Sequence, residues 1–312
     1  MKHIAEKVLT IAAAAGCCVT LSGCSDASAK LSDSKTVLFK IGDTSVTKGE
    51  VYSTMMTMSG ASTCINNATN TIAKKEVEVT DDITNQAKST LDTYKSMYGD
   101  SFTSYLKQAG MDEDSYLNDY LVPSLLASKM TDKYVESHFE NLCKAYKPFK
   151  ATILAFTSED DLNAAKAELD AGTDAATAAS NHNSSSTGTS TLYTNESTDI
   201  DSYVRTAISA LTPDDGWQEV KSSDGATFNL VRVDADDPND FKDEAVEALA
   251  NISEVSSAST SYYFKKHKFH IYDITLYNGI KADYSDYLVQ DDESSAKASA
   301  ASTSSAEAAA SN

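Results

Sequence analysis

The sequence predicts an α+β protein. Three observations carry that expectation. Apolar residues recur at helical spacing over most of 47–147. At Pro148 the texture changes to the order strand, helices, strand, strand, which fits a small α/β unit. Helical spacing then returns beyond an acidic stretch at 234–243.

The elements follow in chain order. Lys2 and Lys7 precede an uncharged, mostly apolar or small run at 8–20, and Leu21-Ser22-Gly23-Cys24 follows directly. A basic start, an apolar run and small residues before a cut site describe a secretory signal. The run is shorter than the ~20 residues that a spanning helix needs. Residues 25–35 are small and polar and read as a flexible tether. A strand at 36–41, a turn at Gly42-Asp43 and a second short strand at 44–46 form a hairpin. Thr47 and Glu50 stand three apart, as a capping box requires, and open a helix expected to reach about residue 58 with Val51, Met55 and Met58 on one face.

Thr80 caps a helix carrying Ile83, Ala87, Leu91 and Tyr94, and Gly99 ends it. A short helix with Phe102 and Leu106 stops at Gly110. Further helix is expected over 112–138, bent or split at Pro123. Beyond Pro148, residues 149–156 read as a strand. Ser158 caps a helix to about 171, and 174–179 is a further short helix. The Ser/Thr-rich stretch 181–195 has no core-forming pattern. A helix at 200–211 and strands at 217–221 and 227–233, joined by the turn Ser223-Asp224-Gly225, complete the unit. Residues 234–243 read as an acidic linker. A helix with Phe241, Ala245, Leu249 and Ile252 on one side comes next. Alternation at 267–276 predicts a closing strand. From 291 onward the chain is Ser, Ala and acid, and disorder is expected.

Composition excludes several functions. The chain has 46 acidic against 26 basic side chains, a formal charge of −20. Phosphate backbones need clustered cations, so no nucleic acid partner is expected. After Cys24 only Cys64 and Cys143 remain, open to one disulfide or two free thiols. His267 and His270, three apart in the expected strand, would face opposite sides, so no metal site is expected there. His138 suits the end of its helix, and His182 falls in the polar loop. The acidic stretch 234–240 lacks the Gly and terminal Glu of an EF-hand loop. No hydrolase, zinc-protease or phosphate-loop motif occurs, and no cofactor is expected. The methionines and tyrosines of the helical region read first as core. In a chaperone, some would line an open apolar cradle.

Two resemblances arise from these residues. Leu21-Ser22-Gly23-Cys24 resembles the lipobox of bacterial lipoproteins. That implies cleavage before Cys24, a diacylglycerol on its thiol and attachment to the outer face of a cell membrane, of a Gram-positive bacterium. VLFKIGDTSVTKGEVYSTM, QAGMDEDSYLNDYLVPSLLASKM and KKHKFHIYDITLYNG resemble the opening, the later helix pair and the closing segment of the PrsA/SurA class of extracytoplasmic foldases. The resemblance implies a signal peptide at 1–23 and a tether at 24–35. It implies a helical chaperone domain built from 36–148 and 238–290, an inserted parvulin-like α/β domain at 149–237 and a disordered tail at 291–312.

Laid against parvulin, the middle unit departs from the pattern. Lys150-Ala151-Thr152 puts Thr152 where the family's first His stands, and Phe228-Asn229-Leu230 puts Asn229 at the second. Rotation about X-Pro faces a barrier of ~20 kcal/mol. Thr and Asn can hydrogen-bond each other but cannot reproduce a histidine pair. The resemblance therefore implies a foldase-like chaperone for unfolded or newly exported proteins, with prolyl isomerase activity weak or lost. A ligand-binding or adhesive surface lipoprotein and a still-active isomerase remain the alternatives.

Overall fold

The capping box forms where the spacing places it. In the computed structural model, which describes residues 31–290, Thr47 Oγ1 accepts from the Glu50 backbone N–H, and Glu50 Oε2 accepts from the Thr47 N–H at 2.7 Å. Strands β1 (Val37–Ile41) and β2 (Thr44–Thr47) pair antiparallel ahead of it, and helix α1 (Lys48–Met55) follows. The signal run, Cys24 and the tail from 291 lie outside the described residues. The last part of the expected tether does not trail free. Residues 32–35 form a turn, and the Ser34 carbonyl accepts from the Gly49 N–H at 2.8 Å.

The first helix does not end near 58. It passes through a π turn, Met56–Gly60, into α2 (Ala61–Glu76). Only Ile65, Ile72 and Ala73 of α2 are buried, too sparse a stripe to read from a polar, Asn-rich segment. Helices α3 (Asp81–Tyr98), α4 (Asp100–Gln108) and α5 (Glu113–Tyr116) follow, with the Thr80 cap and the Gly99 break in place. A second π turn, Leu117–Leu121, leads into α6 (Val122–Ser137), and α7 (Phe139–Tyr146) closes the run. Pro123 neither ends nor splits the helix. It sits in the first turn of α6, just past the π turn, where its missing N–H interrupts least.

The closing segment is helical, not a strand. After α11 (Lys242–Ala250) and α12 (Ser253–Lys266), residues 267–273 are irregular and α13 (Ile274–Asp283) begins. Asp273 caps α13 by accepting from the Thr275 and Leu276 N–H groups at 2.8 and 3.1 Å. The alternation of Phe269 and Ile271 finds no partner strand, and the Asx cap supplies the backbone with another solution. Both ends of the chain share one core. Ile65, Leu126 and Met130 pack with Tyr263, Phe264 and Ile280. Glycine eases the close approach here: a Cβ on Gly60 would sit 3.1 Å from the Leu276 side chain, and one on Gly279 would sit 3.2 Å from that of Ala61, so either neighbour would have to shift slightly.

The middle of the chain forms a four-stranded antiparallel sheet in the order β4-β3-β6-β5. Its strands are β3 (Phe149–Phe156), β4 (Thr191–Tyr193), β5 (Gln218–Lys221) and β6 (Phe228–Ala235). Helices α8 (Glu159–Asp170) and α9 (Ala175–Asn181) cover the face bearing Leu154, Phe156 and Leu230. Helix α10 (Ser202–Ile208) covers the opposite face with Ala151, Val231 and Val233. Strand β4, three residues long, lies in the stretch expected to be only loop. Strand β6 runs on to Ala235 and so takes Asp234 out of the expected linker.

Candidate functional site

An open cleft of about 650 Å³ lies between the α1–α2 arm and the closing segment. The arm contributes Tyr52, Met55 and Met56 from one side and Cys64, Ala68 and Ile72 from α2. Phe269 and Leu276 form the far wall. Met55 is 60% exposed, so this part of the expected core faces solvent instead. Met58, on the same expected apolar face, is 81% exposed. Methionine is unbranched and polarizable, and suits a surface that must fit varied apolar shapes. The volume falls within the ~300–1,000 Å³ typical of ligand clefts. The far wall is not legible in the sequence, because the alternation at 267–276 predicts a strand.

One end of the cleft is basic. His267 and Lys75 line it. His267 Nε2 lies 2.6 Å and Lys266 Nζ 2.8 Å from the Glu76 carboxylate, while Lys133 donates to the Glu76 carbonyl. The Lys266 ammonium, with His267 adding to it against the cost of burial, holds the Glu76 carboxyl below its ordinary value of 4.5. The folded state thus favours the ionised form. Its contribution to stability is present above the unfolded value and is lost as pH falls through the depressed folded one. The stability advantage of the wild type over Glu76→Gln should be full above about pH 5 and fade below 4.5. Urea titrations at pH 7, 5, 4 and 3 measure it, and a difference that stays constant across that range would contradict the assignment.

The residues at the two parvulin positions do not meet. Strand register pairs Thr152 with Arg232 and Asn229 with Ala155. Side chains alternate along a strand, so Thr152 lies on the α8 face with Leu154, and Asn229 on the α10 face with Val231. Thr152 is 2% exposed and donates its hydroxyl to Asp234 Oδ2 at 2.6 Å. Asn229 Nδ2 donates to the Val220 carbonyl at 3.1 Å and to Ser222 Oγ at 2.9 Å. The expected Thr–Asn hydrogen bond is therefore absent. On Asn229's own face the nearest β3 positions are Ala155 and Ile153, both apolar, so no polar pair forms at that point. Helix α10 presents Tyr203 at 66% exposure, while Val204 and Ile208 are committed to the core.

Other candidates settle into structural places. Cys64 and Cys143 are free thiols, and burial pushes both upward in pKa, which keeps them protonated and unreactive. His138 Nδ1 lies 2.8 Å from the Tyr134 carbonyl. His182 is not simply solvated: its Nε2 is 3.0 Å from Glu168 Oε1. Among the described residues no cluster of three or more His, Cys, Asp or Glu is placed to hold a metal, and no helix is long and apolar enough to cross a membrane.

Fold and site together define an α+β protein with a cleft-bearing helical part and a small antiparallel sheet unit. No family model and no curated protein matches the chain. Among solved structures it is similar to foldase protein PrsA from Streptococcus pneumoniae strain Canada MDR_19A, at 18% identity and a TM-score of 0.48, over 81% of this chain and 100% of that one. It is also similar to PrsA from Bacillus subtilis, at 19% identity and a TM-score of 0.38, over 81% and 99% of the two chains. Peptidylprolyl isomerase PrsA from Bacillus cereus is a third, at 16% identity and a TM-score of 0.41, over 80% and 99%.

Proposed function

We propose that this chain is a lipid-anchored, extracytoplasmic chaperone for newly exported proteins, in which the helical part binds the client and the sheet unit has lost most or all isomerase activity. The observation that carries the reading is the open, methionine-lined cleft of about 650 Å³. An apolar surface that no described residue covers, on an acidic chain, suits unfolded segments. The core shared by early and late helices supports one helical domain, 36–148 with 238–290, interrupted by a sheet domain at 149–237. The apolar run ending in Leu21-Ser22-Gly23-Cys24 supports a lipid on Cys24. The purified chain should suppress aggregation of a denatured secreted enzyme, and Met55→Asp should weaken that suppression several-fold. Equal suppression by both proteins would remove the cleft from the mechanism. Cys24→Ser should move the protein from the detergent phase to the aqueous phase on partitioning.

Loss of isomerase activity is supported by the separation of Thr152 and Asn229 onto opposite faces. The chain should leave X-Pro interconversion in a proline peptide at its uncatalysed pace of tens to hundreds of seconds at 25 °C. A robust catalysed rate would restore the reading of an active isomerase. The alternative of a surface lipoprotein for a small ligand would be favoured by specific capture of such a ligand without any suppression of aggregation.

A further inference from the structure

The cleft floor has an internal pattern that narrows what it can hold. Ser59, Thr63, Asn67, Thr71 and Lys75 follow one another at four-residue spacing through the π turn and α2, and all line the cleft. Beside this row runs a second, one residue further on: Gly60, Cys64, Ala68 and Ile72. Residues four apart stand one above another on a helix, so the floor is a polar stripe laid along an apolar one. Thr63, Asn67 and Thr71 are exposed, and their side chains make no hydrogen bond among the described residues. Many other helical Thr side chains here, such as Thr54, Thr90 and Thr93, bond back to the preceding turn.

The stripe ends on Lys75, an exposed ammonium with no ion pair among the described residues. Glu76, its neighbour in sequence, is engaged by Lys266 and His267. Among the described residues no Asp or Glu lines the cleft, in a chain with 46 acidic side chains against 26 basic ones. A local excess of positive charge on so acidic a molecule is a recognition feature, because it attracts an anionic group that the rest of the surface repels.

We infer that the cleft takes an extended polypeptide segment with alternating apolar side chains and a carboxylate at the end that lies over Lys75. This rests on the chaperone reading above and adds which segments are preferred. An extended backbone presents amide donors and acceptors along its length, and the Thr63–Asn67–Thr71 row can satisfy them. Its apolar side chains enter the space bounded by Met55, Met56, Phe269 and Leu276. An acyl chain of a lipid would cover the same polar row without offering it any partner, at a cost for each group desolvated. The polar stripe therefore favours peptide over lipid.

The test uses the full chain and two fluorescein-labelled nonapeptides of alternating Leu/Phe and Ser, one ending in Glu-Glu and one in Lys-Lys, read by anisotropy. An exposed ion pair contributes modestly and is screened by salt, so the acidic peptide should bind about two- to fivefold tighter, and the gap should narrow at 0.5 M salt. Lys75→Glu should abolish or reverse the preference. Lys74→Glu makes the same charge change one position away, outside the cleft lining, and should leave the preference standing. Thr63→Val with Thr71→Val should weaken both peptides, while a fluorescent fatty acid should not compete with them. Equal binding of the two peptides, equal effects of the two lysine variants, or displacement by the fatty acid would each overturn the inference. Aggregation suppression by the wild type would be untouched by any of these results, so failure here is distinct from failure of the chaperone reading.

Discussion

Phe264→Ala should destabilise the chain by about 3–5 kcal/mol, the range for removing a large aromatic from a packed core. Phe264 is 0% exposed on α12, with its ring centroid 4.5 Å from that of Phe269. It joins a core whose other members include Ile65, Leu126 and Met130, more than 130 positions earlier. The residue thus tests whether the last part of the chain completes a core begun by the first. At ~2–4 °C per kcal/mol for a domain of this size, the melting temperature should fall by on the order of 10 °C. Tyr262→Ala, at 42% exposure on the same helix, should cost under about 1 kcal/mol. Urea denaturation followed by far-UV circular dichroism measures both. The single tryptophan, Trp217, packs beside the sheet with Phe228 and reports that unit separately. If the sheet folds as a domain of its own, the Trp217 transition stays in place while the helical one moves. A loss below 1 kcal/mol for Phe264→Ala would separate the closing segment from the helical core.

The sequence was most legible where local chemistry decides the backbone. Thr47, Thr80 and Ser158 each cap the helix expected of them, because an N-cap needs only its own side chain and the next turn. Gly99 ends α3 with φ at +49°, a conformation that side chains disfavour. Legibility failed where partners far along the chain decide. Helix α2 buries three residues, and its exposed rows of Ser, Thr and Asn look like loop. Residues 267–273 alternate like a strand, but no edge is there to receive them, and the Asp273 side chain starts a helix instead. Strand β4 exists because β3 offers an edge to Thr191–Tyr193. The site shows the same division. Met55 is legible as a cradle residue, but the cleft depends on Phe269 and Leu276, which only the tertiary fold brings opposite. Thr152 and Asn229 could be aligned to a motif by composition. The pairing of Ala155 with Asn229, and not the motif, decides which faces they occupy.

That pairing gives the second large effect, at Asp234. Its side chain is 16% exposed and holds three groups at once: Oδ2 accepts from Thr152 Oγ1 at 2.6 Å and Ser190 Oγ at 2.7 Å, and Oδ1 accepts from Arg232 Nε at 2.8 Å. Arg232 in turn stacks over Trp217 at 4.7 Å. Asp234→Ala should cost about 3 kcal/mol, since hydrogen bonds to a charged group contribute ~1.5–3 kcal/mol each and the buried Thr152 hydroxyl would be left without its acceptor. Thermal unfolding read at Trp217 measures the loss, and a change under 1 kcal/mol would mean that water replaces the carboxylate freely. Ser190 ties the preceding loop to the same carboxylate. That loop approaches α9 so closely at Gly188 that an added Cβ would lie 2.5 Å from the Ala175 backbone. Thr152 is thus the inner end of a structural network on the α8 face, and its position is not available for chemistry with Asn229. Installing histidines as Thr152→His with Asn229→His should therefore yield no isomerase gain, and should lose stability comparable to Asp234→Ala, because the first imidazole displaces the Asp234 contact while the second faces Ile153 across the other side of the sheet. A catalysed rate in that double variant would show that the faces are not separated as the register requires.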